Sequence, residues 1–439
     1  MLLAVILGSG VAFLDGSVVN LALPKMAEQL GTGFSGQQWI VDGYLLTLSA
    51  LILLGGSLGD ILGRKKVYMW GVAGFGAVSL LCAFAPSVDV LIAARVLQGI
   101  CGALMIPGAL ALIDTNFSAE QRGKAIGLWT AATSAIIAAG PLLGGYLIDA
   151  LSWRWIFLIN VPLLLVVVWL GLPAIRESRV SARRTIDWWG AVFAVLALGG
   201  VTLGLIEGPV MRWNPLTLAA LAVGLVCALL FVWWEHRRRD PMLPLRLFRV
   251  RNFTGTNITT FAMYGALGGF FFILTIHLQT VLHYSSMAAG LAALPVSVTL
   301  ILLSSRIGSL AGKFGPRWFM TAGPIMAGLG ILSLLPLTEG AVYVTQILPG
   351  ILLFGLGMAA TVAPLTTTVL ASVKDAESGI ASGVNNAVSR VSGLFVVAAL
   401  GIFGAAQAYP FAVWLCGCLA IGAGLLSALI IRNPKFEKN

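Results

Sequence analysis

The sequence predicts an all-α membrane protein of fourteen transmembrane helices, arranged as two six-helix bundles with two further helices inserted between them. Three observations carry this expectation. Hydrophobic residues make up 59% of the chain and charged residues only 10%, so a water-soluble fold would have too little polar side-chain surface to cover itself. Apolar runs of about 20 residues, enough to cross about 30 Å of hydrocarbon, recur fourteen times. A loop pattern also occurs twice: Gly56-Ser-Leu-Gly-Asp-Ile-Leu-Gly63 matches Gly308-Ser-Leu-Ala-Gly-Lys-Phe-Gly315, 252 positions on, and Gly123-Lys-Ala-Ile-Gly127 matches Gly379-Ile-Ala-Ser-Gly383 at an offset of 256. Two halves of like design are the simplest reading.

The first span, 2–24, carries Asp15 about mid-helix and Asn20 further along it. It lacks the basic start and cleavage-like end of a signal peptide, and its abrupt apolar beginning leaves open whether the N-terminus is native or trimmed. Span two, 39–58, holds Asp42 and Tyr44 near its outer end. The loop that follows packs Gly56, Gly59 and Gly63 around Asp60 and ends in Arg64, Lys65 and Lys66. Its glycines permit tight turning, and its cations must stay in water or headgroups.

Span three is 67–85. Span four, 88–113, contains Arg95 and Gln98 within Arg95-Val-Leu-Gln-Gly-Ile-Cys-Gly102. In span five, 121–148, the run Ala138-Ala-Gly-Pro-Leu-Leu-Gly-Gly-Tyr146 combines Pro141, which kinks a helix, with Gly140, Gly144 and Gly145, which admit a close neighbour. Span six, 153–172, opens with Trp153-Arg-Trp-Ile-Phe-Leu-Ile-Asn-Val-Pro162, read as an anchor for its outer end.

Spans seven and eight, 186–206 and 215–234, have no counterpart in the repeat and lie between two basic linkers. They are expected to be a structural spacer without transport contacts. This divides the chain into a first bundle, 1–175, an insertion with its linkers, 176–252, and a second bundle, 253–439. The second bundle comprises 253–282, 287–311, 317–337, 342–371, 377–404 and 409–431, with no Asp or Glu at depth. Its buried candidates are His277 and Gln279 in span nine, Arg306 in span ten, and Asn386 and Arg390 in span thirteen. Tyr264 and Phe271 in span nine offer faces on which a flat cationic or apolar ligand could stack.

The net charge of +10 raises the question of a nucleic-acid partner, and the distribution of cations excludes one. Of the 27 Lys and Arg residues, 21 fall in alternate connections and only Lys25, Arg154 and Arg212 in the opposite set. By the positive-inside rule both termini and the basic loops are cytoplasmic. Arg95, Arg306 and Arg390 remain inside helices. The 5 cysteines and 3 histidines lack metal or redox spacing, so neither a metal site nor a disulfide is expected. No Ser/His/Asp constellation suggests an enzyme.

An ionisable side chain at bilayer depth costs roughly 2.5–3.5 kcal/mol on insertion scales, so each one invites a functional explanation. Asp15, Asp42 and Arg95 share the outer half of the first bundle in this topology. A carboxyl held from water without a partner favours its protonated form, whereas an adjacent guanidinium favours the ionised form. Two acids near one Arg therefore make a proton switch, although a static Asp–Arg pair that only locks packing uses the same residues.

The loop 56–64, the run Leu14-Asp-Gly-Ser-Val-Val-Asn-Leu-Ala-Leu-Pro24, the Arg95–Gly102 run and the Gly-Pro run of span five together resemble the major facilitator superfamily, in its fourteen-helix drug:proton antiporter branch. Two positions depart from the family pattern: Ile61 stands where an Arg usually follows the loop Asp, and Ile136 replaces the first glycine of the antiporter motif. The resemblance implies a major facilitator fold in the bacterial cytoplasmic membrane. It also implies multidrug efflux with antibiotic resistance, a gating role for Asp60 and Arg64, and a part for Arg95 in proton transfer. The coupling ion would be H+, with no cofactor, and the protein a monomer contacting membrane lipid and a small-molecule substrate.

The sparse acids argue for a lipophilic monocation or neutral compound rather than a dication. Asn20, Tyr44, Gln98, Tyr264, Phe271, His277, Gln279, Asn386 and Arg390 are candidates to line the substrate cavity. Two alternatives are an exporter of an endogenous amphiphile, with Arg390 and His277 on its anionic head, and a non-transporting sensor or scaffold that needs no titratable Asp15.

Overall fold

The computed structural model describes residues 1–179, 185–374 and 377–433. Arg183, Arg184, Lys435 and Lys438 of the expected basic connections, and Asp375, lie outside the described residues. No strand occurs among the described residues, which form helices joined by short turns. The chain divides into two compact units, 1–243 with 284–290 and 244–283 with 291–439.

The first unit contains α1 (Leu2–Leu30), α2 (Phe34–Leu62), α3 (Arg64–Ala83), α4 (Val88–Asn116), α5 (Ala119–Ala150), the short α6 (Trp155–Leu158), α7 (Asn160–Ala174), α8 (Trp188–Val210) and α9 (Pro215–Arg237). The second contains α10 (Arg251–Thr280), most of α11 (Ser286–Phe314), α12 (Pro316–Leu332), α13 (Leu348–Ala371), α14 (Ser378–Ala399) and α15 (Ala408–Ile430).

Twelve helices of the described residues, counting Trp155–Ala174 as one, are long and apolar enough to cross a membrane. The two expected spans outside that set have physical reasons for standing apart. α12 runs for only 17 residues before turns replace helix. α14 has 22 residues, and its polar stripe of Ser382, Asn385, Asn386, Ser389 and Arg390 lowers its hydropathy. Span six also differs from the continuous helix expected: it breaks between α6 and α7 at Ile159, where Pro162 in the first turn of α7 has no N–H to give the Leu158 carbonyl.

Small residues set the closest approaches. A methyl built on Gly55 of α2 would overlap the Ala103 carbonyl of α4, and one on Gly99 would overlap the Tyr44 carbonyl and the Thr47 hydroxyl. Thr47 donates to the Val96 carbonyl at 2.7 Å across the same seam. Because the obstacle at Gly99 is backbone, Gly99→Val cannot be absorbed by a side-chain shift. It is expected to abolish accumulation of folded protein, and a monodisperse product at wild-type yield in detergent contradicts the packing described.

The inserted pair α8 and α9 packs through Gly200, Gly204 and Gly224. It does not stand apart from the first unit. Trp39 Nε1 at the start of α2 donates to Glu207 Oε1 near the end of α8 at 2.7 Å. Toward the other end, Leu54 of α2 packs with Ala191 of α8 and Met242.

Candidate functional site: a buried ion pair in the first unit

Asp15 sits on α1 and is 2% exposed; Arg95 on α4 is 1% exposed. Arg95 Nη1 donates to Asp15 Oδ2 at 2.5 Å. The other carboxylate oxygen accepts from Gln98 Nε2 at 3.1 Å and from Asn160 Nδ2 at 3.3 Å. Each charge is thus paired and hydrogen-bonded, the condition under which a buried ion pair is tolerated.

The remaining donors and acceptors are supplied from neighbouring helices. Arg95 Nε donates to the Ile40 carbonyl of α2 at 3.1 Å, and Nη1 also donates to Gln98 Oε1 at 2.6 Å. Its guanidinium lies over the Tyr44 ring at 4.5 Å and near Phe157 at 5.8 Å. Gln98 and Asn160 both donate to Ser79 Oγ on α3, at 3.1 and 3.3 Å, and the Cys82 thiol donates to Gln98 Oε1 at 3.6 Å. α1, α2, α3, α4, α6 and α7 all meet at this pair.

Sequence reasoning anticipated Asp15, Arg95, Gln98 and Tyr44, though Gln98 and Tyr44 were expected along a substrate cavity. Both contact Arg95, Gln98 through its Oε1 and Tyr44 through its ring, because a buried guanidinium needs an acceptor and benefits from an aromatic face. Asn160 lies within the Trp153–Pro162 run expected to anchor the outer end of span six. Ser79 carries no signal of its own. Asp42 is brought to α2 without joining the pair: it is fully buried, and neither carboxyl oxygen has a hydrogen-bond partner among the described residues.

The glycine run of α5 packs on α1 beside the pair. Positions for a side chain at Gly140 and Gly144 are filled by Leu14, Ser17 and Val18, the neighbours of Asp15 in sequence. Gly145 lies against Met287, and the Pro141 carbonyl against Gly290, both in the 284–290 stretch of the first unit.

In the loop between α2 and α3, Arg64 donates to Asp60 Oδ1 through Nε at 3.0 Å and Nη2 at 2.9 Å. Nη1 reaches the Ala111 carbonyl of α4 at 3.4 Å. Gly63 adopts φ 116°, a conformation that suits glycine. The Glu177 carboxylate accepts from the Lys65 and Lys66 backbone N–H groups at 3.0 and 3.1 Å, capping α3. Gly56 faces Pro107 and Gly59 faces Arg64. In the second copy Gly315 has φ 87°, and Asn433 accepts from the Arg317 N–H at 3.0 Å.

The second unit holds the other candidates apart. His277 Nε2 lies 3.1 Å from the Leu337 carbonyl, and its ring stacks on Tyr409 with centroids 3.6 Å apart. Phe271 packs against Phe270 and Phe354. Gln279 donates to the Thr275 carbonyl at 3.3 Å. Asn385 rather than Asn386 bridges α14 to α10, donating to Asn257 Oδ1 at 3.1 Å and Thr260 Oγ1 at 2.7 Å. Tyr264 and Arg390 are half-buried on α10 and α14, and Asn20 is half-buried on α1.

The family model described as Major Facilitator Superfamily matches residues 5–397 and 256–439. The multidrug resistance protein Stp of Mycobacterium tuberculosis is 35% identical over 402 residues, covering 91% of this chain and 74% of that protein. The multidrug efflux pump LfrA of Mycolicibacterium smegmatis is 35% identical over 393 residues, covering 88% and 77%. A crystal structure of the peptide transporter POT superposes with a TM-score of 0.75 at 14% identity, covering 98% of this chain and 94% of that one, a likeness of fold.

Proposed function

We propose, from the premise that this chain belongs to the Major Facilitator Superfamily and is an integral membrane transporter rather than an enzyme, that it is a proton-coupled antiporter. In this reading it exports lipophilic monocationic or neutral compounds. The relatives named for multidrug resistance and efflux support drug export. The Asp15–Arg95 pair supports the coupling, and it is the observation that carries the reading: a carboxylate fully removed from water, with its charge balanced by one guanidinium.

Protonating Asp15 removes its half of the Coulomb attraction and frees the guanidinium to follow Gln98, Tyr44 and the Ile40 carbonyl. The pair is thus bistable in the sense a rocking-bundle exporter requires. Asp60 and Arg64 are assigned to the gate. In this reading H+ is the coupling ion, no cofactor takes part and the protein works as a monomer, and the alternation of cations supports cytoplasmic termini.

With Asp15 engaged by Arg95, Asp42 is the one acid at depth in the first unit left for a substrate charge or a proton, which favours monocations over dications. The amphiphile alternative places its anionic head on Arg390 and His277, and of these His277 is already engaged by Leu337 and Tyr409. In vesicles with an imposed pH gradient, monocationic dyes are expected to compete with one another and anionic lipids to leave dye transport unchanged. Competition by the lipids alone overturns the substrate assignment.

A further inference from the structure

Asp42 Oδ1, Asp42 Oδ2 and Thr202 Oγ1 are buried without a hydrogen-bond partner among the described residues, and both residues are 0% exposed. They sit on α2 and α8, and two contacts fix the register of these antiparallel helices. Trp39 pairs with Glu207, and Leu46 Cδ1 lies 3.9 Å from where a Cβ on Gly199 would stand. Between these pins, residue 42 falls opposite residues 203 and 204, so Asp42 and Thr202 differ in height by about 2.4 Å at a helical rise of about 1.5 Å per residue.

Their directions agree as well. Asp42 is three residues after Trp39 and four before Leu46, so it shares their face. It turns away from Gly43 and Thr47, which pack on α4. Thr202 is three residues after Gly199 and turns away from Gly200 and Gly204, which pack on α9. With one right-handed helix running each way, both side chains open on the same flank of the α2/α8 seam.

We propose that Asp42 and Thr202 form a proton-loading site at this seam, holding one water molecule between the two Asp42 oxygens and the Thr202 hydroxyl. Three polar partners are what a buried water requires. The proposal rests on the proton-coupled reading above. Loading transfers one proton from hydronium to the Asp42 carboxylate, leaving a carboxylic acid and the bound water; unloading is the reverse. Thr202 is a positioning residue, and the inserted helices are part of the coupling apparatus rather than a spacer.

Charged groups on the helices around α2 are engaged or distant. Asp15 on α1 and Arg95 on α4 hold one another, and Glu207 on α8 holds Trp39. Lys25 and Glu28 lie at one end of α1, Asp89 and Asp114 near the two ends of α4, and Arg64 to Lys66 at one end of α3.

The test uses Thr202→Val and Thr202→Ser in the full chain, with Thr202→Ala standing in should Val overpack the seam. The infrared carbonyl stretch of the protonated Asp42 carboxyl is identified as the band lost in Asp42→Asn. It is expected to move in Thr202→Val and return in Thr202→Ser. Ethidium transport driven by a pH gradient is expected to fall about fivefold in Thr202→Val and to recover in Thr202→Ser. A band unmoved by Thr202→Val overturns the site even where transport is proton-driven. Wild-type ethidium transport that ignores the pH gradient, with the band still tracking Thr202, overturns the antiport reading and leaves the site standing.

Discussion

Asp15→Asn is expected to yield a folded, membrane-inserted protein that no longer moves substrate uphill at the expense of a pH gradient. The amide keeps the shape of the carboxyl, and its oxygen still accepts from Gln98 and Asn160, the donors that serve Asp15 Oδ1. It also resembles the protonated carboxyl, the state that the proposed antiport cycle populates. What the variant lacks is the ionised state. A fall in gradient-driven uptake of at least about tenfold, equivalent to about 1.4 kcal/mol in the barrier, is expected in reconstituted vesicles, with membrane expression close to wild type. Uptake that responds to the gradient as before contradicts a coupling role for Asp15.

The second large effect is at Arg95. Arg95→Ala leaves the Asp15 carboxylate buried with only neutral donors, and it opens a void bordered by Tyr44 and Phe157. Removing one partner of a buried ion pair typically costs about 3–5 kcal/mol, a large fraction of the stability of a typical domain. The variant is expected to lose thermal stability in detergent as well as transport. Arg95→Lys should recover little, because one ammonium cannot reach Asp15, Gln98 and the Ile40 carbonyl in the geometry that the planar guanidinium satisfies. Arg306 provides the control: it is exposed on α11, where its long side chain can reach headgroups, and Arg306→Ala is expected to be near neutral. Equal losses at the two arginines argue that neither has a special role.

These expectations show what a one-dimensional pattern reveals and what it hides. Asp15 and Arg95 stood out because a charge inside an apolar run must be explained by a partner, and composition leaves few partners to choose from. The same reasoning grouped Asp42 with them. Depth along a helix can be read from sequence position, whereas azimuth depends on which neighbour each face meets, and α2 turns Asp42 away from α4 while presenting Tyr44 to Arg95. Ser79 and Asn160 were hidden for another reason: neutral polar residues occur throughout membrane helices, and only the fold reveals which of them touch a carboxylate.

The inserted helices illustrate the same limit at larger scale. Their lack of a counterpart in the repeat was legible, and so was their position between basic linkers. Their attachment to α2 depends on Trp39 and Glu207, which are 168 residues apart and carry no common motif. The break between α6 and α7 had a signal that the continuous span passed over: Pro162 cannot donate to the Leu158 carbonyl. By contrast the turn at Gly63 was legible, because a positive φ next to a row of cations calls for glycine.

The most direct test of the account follows protons rather than drug. In vesicles holding the wild-type exporter and a pH-sensitive dye, ethidium added against an imposed gradient is predicted to dissipate that gradient in step with its own movement, and Asp15→Asn vesicles are predicted to show neither. Ethidium accumulation in wild-type vesicles without any accompanying proton movement would contradict the account.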